Sequence, residues 1–158
     1  FVEKTPLVIK TGPVVGNWRH VSDTGSGQKQ DVTRATLVLG IDHGKEVRGG
    51  AYAYQVTSDK NGAGAKVLRN DGQAQAARFG SGSTGIVFWS PGTLTLPDGA
   101  TIEVNRACVL LVKPGEVVVA DPYQKAGVVK LTLTGRPFAV TLPGGQMAGS
   151  PVAVKTGS

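Results

Sequence analysis

Five short aliphatic runs in the second half of the chain, "STGIVFWSPG", "ACVLLVKPG", "EVVVADP", "GVVKLTLTG" and "RPFAVTLPG", each stop at a Gly or a Pro. They recur at about the eight-to-twelve-residue spacing of an antiparallel sandwich. Each run is too short for a globular helix and rich in Val and Leu, which suit a pleated surface. The 23 Gly and 9 Pro lie between the runs, where tight turns need them. The fold class is therefore all-β and antiparallel. A chain of 158 residues is long enough to bury a real core, as one domain or as one and a half small β units.

The first half gives fewer strands. "KTPLVIKTG" and "VVGNWRHVSD" read as two strands parted near Gly12-Pro13, followed by a polar loop in "TGSGQKQD". "VTRATLVLGID" is the next strand. "AYAYQVTS" is another, with Tyr52 and Tyr54 on one face at the period-two spacing. The composition shifts at "DKNGAGA", and the boundary between two domains is placed there, at 1–61 and 62–158. Beyond it "KVLRN" is short, and "DGQAQAARFG" is the one stretch that reads as a helical turn or irregular crossing. Lys113-Pro114-Gly115-Glu116 has the Pro and Gly placement of a type II turn. A last strand falls at Val152 to Val154.

The formal charge of +6, from 17 Lys and Arg against 11 Asp and Glu, suits a polyanionic partner. Lys4, Lys10, Arg19, Arg34, Lys66, Lys113 and Lys130 are scattered, whereas nucleic-acid modules cluster their charge, so nucleic acid is disfavoured and an acidic polysaccharide fits equally well. The lone Cys108 sits in an apolar run with no local His, which makes it core filler. No stretch is long enough to cross a membrane. The start "FVEKTPLVIK" has neither a Met nor the form of a signal peptide, so sequence upstream is expected to have been removed.

Catalytic chemistry finds little purchase. Asp42 stands beside His43, but neighbours in a strand point to opposite faces, and an Asp capping its own turn is the commoner arrangement. His20 and His43 offer no metal-ligand spacing, so no metal and no cofactor are expected. Ser22, Ser81, Ser83 and Ser90 lack a nucleophile elbow, and "GSGSTG" lacks the Lys and the helix of a phosphate loop. Asp121 in "VADPYQKAG" reads as a turn between buried strands. Trp18 and Trp89 have faces that can stack on a sugar ring; Trp89, between apolar residues, is read as core, while Trp18 stays open to either role.

The order "GNWRHVSD", "DVTRATLVLGIDHG", "AYAYQV", "VLRNDGQAQAARF", "STGIVFWSPGTL" and "VLLVKPGEVVVADPYQKAGVVKLTL" resembles the C-terminal part of the polysaccharide lyase family 8 enzymes, which include hyaluronan, chondroitin AC and xanthan lyases. The resemblance runs from about Gly16 to Val140. It implies an enzyme with an N-terminal α/α toroid, a central antiparallel β supersandwich and a small C-terminal β-sandwich. Residues 1–61 resemble the last strands of the supersandwich, and 62–158 the C-terminal domain. Such enzymes cleave uronate-containing polysaccharides, glycosaminoglycans among them, by β-elimination. Their Tyr, His, Asn and Arg group lies in or near the toroid, and no position here matches it. Asp42-His43-Gly44 matches a strand-terminating "DHG", an architectural corner.

Two classes of function follow. In one, the chain is the supporting β portion of a secreted polysaccharide lyase, inactive alone and partnered by an N-terminal catalytic segment. In the other, it is an autonomous carbohydrate-binding sandwich that uses Trp18 and Arg19 on an acidic glycan.

Overall fold

The computed structural model describes residues 7–20, 30–56 and 64–157, and the chain divides into two compact units, Lys4–Tyr52 and a second running from Ala53 onward. The loop expected in "TGSGQKQD", up to residue 29, and the shift in "DKNGAGA", up to residue 63, lie outside the described residues.

In the first unit β1 (Leu7–Gly16) and β2 (Val32–Ile41) form an antiparallel two-stranded ribbon, in register from Leu7 opposite Ile41 to Gly16 opposite Val32. The expected break at Gly12-Pro13 is absent: the chain passes straight through, with Pro13 opposite Ala35. A strand with an open edge has N–H groups that need no partner, and there a proline costs nothing. Paired residues share a face. One face therefore carries Leu7, Ile9, Pro13 and Val15 with Ala35, Leu37, Leu39 and Ile41. Ile9, Leu37 and Leu39 on it are all more than half exposed.

Residues 51–56 form no strand, contrary to the expectation for "AYAYQV". Period-two spacing makes a strand only where an edge is available to pair with, and none of the described residues pairs with this segment. Tyr52 and Tyr54 are exposed.

The second unit is a sandwich of two antiparallel sheets. The larger sheet contains β3 (Lys66–Asn70), β4 (Ala74–Arg78), β5 (Thr84–Phe88), β8 (Cys108–Lys113), β9 (Glu116–Ala120) and β12 (Val152–Lys155), in the order β12-β9-β8-β5-β4-β3. The smaller contains β6 (Gly92–Thr95), β7 (Thr101–Val104), β10 (Gly127–Leu133) and β11 (Arg136–Leu142), in the order β11-β10-β7-β6. Strict alternation makes the core. Ala74, Ala76, Ile86, Phe88, Cys108, Leu110, Val117 and Val119 point inward from one sheet, and Leu94, Ile102, Val104, Val129, Leu131, Val140 and Leu142 from the other. Fully burying a Leu, Ile, Val or Phe contributes about 1.5–3 kcal/mol, so this cluster is the sandwich's main stabilising term.

Two elements differ from expectation. "AQAAR", expected to be helical or irregular, is β4. Its Ala74 and Ala76 are buried and Gln75 is exposed, and it pairs with β3 on one side and β5 on the other. Alanine's helix propensity amounts to a few tenths of a kcal/mol per residue, less than two ladders of cross-strand contacts supply. The β6–β7 hairpin falls in a stretch for which no strand is expected. Its turn closes with Gly99 at φ 84, Leu96 N donating to Ala100 O at 2.8 Å, and Asp98 Oδ1 accepting from Ala100 N at 3.1 Å. The Pro114-Gly115 turn is as expected: β8 and β9 meet at Lys113 opposite Glu116, and Gly115 has φ 71.

Candidate functional site

Trp18 and Arg19 lie in a single 3-10 turn, Trp18–His20, that follows β1. Asn17 builds this turn. Its Oδ1 accepts from Arg19 N at 2.9 Å, its carbonyl accepts from His20 N at 3.0 Å, and its Nδ2 donates to Asp31 Oδ1 at 2.7 Å. The indole, 57% exposed, forms one wall of an open concavity of about 520 Å³ on the ribbon, with Val14, Gln30, Val32, Arg34 and Thr36. These β1 and β2 residues share the face opposite the apolar one. The cation on this concavity is Arg34, whose Nη1 also donates to Thr33 O at 3.2 Å, while Arg19 is exposed at the turn. An aromatic ring beside a guanidinium on a shallow surface has the chemistry to hold an anionic sugar.

At the far end of β2, Asp42 Oδ1 accepts from Gly44 N at 2.7 Å, so the carboxylate caps its own turn. His43 takes no part in that bond. It is exposed, with its ring tilted 50° against Tyr52 at 5.7 Å between centroids. The pair is a corner in which Asp42 satisfies backbone and His43 packs on an aromatic.

In the sandwich, Cys108 is fully buried, and burial pushes its thiol up to about 12. It fills core, as expected. Trp89 does not: it is 41% exposed, because Phe88 takes the inward position and alternation turns the next residue out. Ser81 and Ser83 bond each other at 3.2 Å in the β4–β5 turn, and Ser22 lies outside the described residues.

The most buried charged group is Asp121, 4% exposed. One carboxylate oxygen receives Tyr123 N at 2.6 Å and the other receives the Arg106 guanidinium. The turn after β9 was legible in "ADP". Its cation, fifteen positions earlier in the sequence, gave no local signal. A second node lies at the β3–β4 turn. Arg69 donates to Asp71 Oδ2 at 2.7 Å, to Gln73 Oε1 at 3.0 Å and to Thr93 O at 3.2 Å, while Asp71 Oδ1 receives Gln73 N and Ala74 N, each at 2.8 Å. The Arg69 bond, reinforced by those two amides, holds the Asp71 carboxyl at about 2. Both nodes order connections between strands. Among the described residues no group of three or more His, Cys, Asp or Glu is placed to hold a metal, and no helix is long and apolar enough to cross a membrane.

The second unit is thus a two-sheet antiparallel sandwich whose Arg106–Asp121 and Arg69–Asp71 pairs order connections between strands. Residues 66–130 match the family described as polysaccharide lyase family 8, C-terminal beta-sandwich domain, to which this part of the sandwich is similar. The matched span runs from β3 into β10, and β11 and β12 complete the two sheets beyond it. No curated protein matches the chain.

Proposed function

We propose that this chain is the C-terminal β portion of a secreted polysaccharide lyase that cleaves a uronate-containing polysaccharide by β-elimination, with catalysis supplied by a separate N-terminal region. In this reading residues 1–61 complete a larger central sheet system and 62–158 form the C-terminal sandwich. The match of residues 66–130 to the lyase sandwich family carries the proposal. The ribbon adds support: a two-stranded sheet with Ile9, Leu37 and Leu39 bare on one face is marginal in water and gains stability from a further apolar layer. The test is reconstitution. The purified 158-residue chain releases no unsaturated uronate product from hyaluronan, chondroitin or xanthan, and joining it to a catalytic region from this lyase family restores soluble, active enzyme. Product release by the chain alone defeats the proposal.

The exposed Trp18 beside Arg34 favours a second reading, a carbohydrate-binding module for acidic glycans. Hydrogen exchange separates the two. Rapid exchange across β1 and β2, with strong protection in the sandwich, fits the supporting portion. Uniform protection in a monodisperse monomer fits the binding module.

A further inference from the structure

The outer face of the six-stranded sheet is built unlike a solvated one. An antiparallel sheet with one side in water alternates apolar inward and polar outward. Here the outward positions in the middle of the face are Val87 on β5, Val109 and Leu111 on β8, and Val118 and Ala120 on β9, all half-buried and all apolar, with Lys113 and Glu116 outward only at the hairpin end of β8 and β9. Direct pairing sets them in rows across the sheet. Val87 lies opposite Val109 and Val109 opposite Ala120, while Gly85, Leu111 and Val118 form the next row.

Two aromatic side chains bound this surface. Gly85 faces outward, and a Cβ added there would come within 3.1 Å of Phe79 Cε2, so the Phe79 ring lies over the glycine on the outer face. Trp89, four residues further along the same strand direction, takes the same face opposite Gln73, to whose carbonyl its N–H donates at 3.0 Å. Phe79 is 43% exposed and Trp89 41%. At the rise of a strand the two platforms stand about 13 Å apart. Between them, on the neighbouring strand opposite Val87, the exposed Gln75 amide is available to a ligand.

The border beyond the Phe79 end is cationic. Lys113, Glu116 and Lys155 form the next row of the same face, with Lys113 Nζ 3.5 Å and Lys155 Nζ 3.1 Å from the one carboxylate between them. Two ammonium groups against one carboxylate leave a net positive edge, and the Lys155 side chain is 83% exposed.

We infer that the outer face of the six-stranded sheet, from Trp89 to Phe79 with Lys113 and Lys155 at its border, is a docking surface for an extended acidic polysaccharide. Small aliphatic side chains keep the floor flat. The aromatic ends cover the apolar faces of pyranose rings, the Gln75 amide meets hydroxyls, and the lysines meet carboxylates. This surface is distinct from the Trp18 concavity, and the inference rests on the reading of the chain as part of a polysaccharide-acting enzyme.

The test uses affinity electrophoresis of the 158-residue chain in gels containing hyaluronan, with dextran as the neutral control, and folding of each variant checked by its denaturation midpoint. Retardation in hyaluronan weakens at least tenfold in Trp89→Ala and severalfold in the Lys113→Gln, Lys155→Gln double variant. In a Trp18→Phe background, Trp89 is the sole tryptophan, and its emission shifts saturably as hyaluronan oligosaccharides are added. Retention of binding in Trp89→Ala with loss in Trp18→Phe moves the glycan to the ribbon and overturns the inference, leaving the lyase reading intact. No retardation of the parent chain also overturns it, and reconstitution with the catalytic region then judges the lyase reading separately. Self-association of the parent in sedimentation, abolished by Trp89→Ala with no change in hyaluronan binding, assigns the face to protein contact and overturns it likewise.

Discussion

The guanidinium of Arg106 meets the buried carboxylate of Asp121 across two connections that each carry the chain from one sheet of the sandwich to the other. Arg106 lies between β7 and β8, and Asp121 opens the path from β9 to β10. The path from β11 to β12 packs close by: a Cβ on Gly144 would come within 2.8 Å of the Ala126 Cβ, and one on Gly149 within 2.9 Å of Gln124 Cγ. The ion pair thus fixes a corner where the chain changes layer three times.

Removing its cation strands a buried charge. Arg106→Met is expected to lower stability by about 3 kcal/mol, the low end for a broken buried pair because the Arg106 side chain keeps 28% exposure. Arg106→Leu with Asp121→Leu costs less than Arg106→Met, since nothing charged is then left behind. Gly127 reports on the same contact. It has φ 141, and a Cβ there would sit 2.6 Å from Arg106 Nη1, so Gly127→Ala displaces the guanidinium. Urea midpoints at constant slope check all three, and Gly127→Ala is expected to cost markedly less once Arg106 is already gone.

At the strand-ending corner the two neighbours separate. Asp42→Ala removes the bond to Gly44 N and is expected to cost about 0.5–1.5 kcal/mol, with faster amide exchange at Gly44. His43→Ala, at an exposed site, is expected to stay within about 0.5 kcal/mol and leave that amide unchanged. Equal effects on Gly44 from both substitutions would place His43 in the cap.

Legibility tracked locality. The alternating runs from β8 to β11 and the Pro114-Gly115 turn were plain, because burial and turn geometry act on adjacent residues. "TLPDGAT" carries the same kind of signal, a Pro-Asp-Gly turn between Leu94, Leu96 and Ile102, and it marks the β6–β7 hairpin. The exposure of Trp89 was readable too, once Phe88 is given the inward position. "AQAAR" was a different case, since only its neighbours in space make it a strand. Tyr52 and Tyr54 show the converse, a strand-like pattern that joins no sheet among the described residues. The Arg106–Asp121 pair was invisible for want of any local trace of a contact that depends on two sheets stacking.

Acid is expected to act on the β3–β4 turn. Arg69 and the amides of Gln73 and Ala74 lower the Asp71 carboxyl from 3.8 to about 2. A depressed carboxylate contributes stability that is present above its unfolded value and lost as pH falls through the folded one. Asp71→Asn is therefore expected to destabilise at pH 5 and to match the parent near pH 2. A difference that persists unchanged at pH 2 would assign the effect to hydrogen bonding alone.

Cys108 carries the opposite sign. Burial raises its thiol from 9.0 to about 12, so the folded protein favours the neutral form. That contribution is complete below about 9 and is lost as pH rises toward 12. At pH 8 the thiol is expected to resist an aromatic disulfide reagent until denaturant unfolds the sandwich, and reaction at a rate independent of denaturant would contradict its burial.

The edge position of β12 has a consequence for synthesis. Among the described residues Val152–Lys155 pairs only with β9, and Thr156 N donates back to Gly115 O at 3.0 Å, at the hairpin that joins β8 to β9. A ribosome that has made every other strand of the larger sheet still holds back the one that closes this side. Until residue 155 leaves the exit tunnel, the growing polypeptide presents the unpaired rim of β9, where a chaperone or a neighbouring nascent chain can pair first.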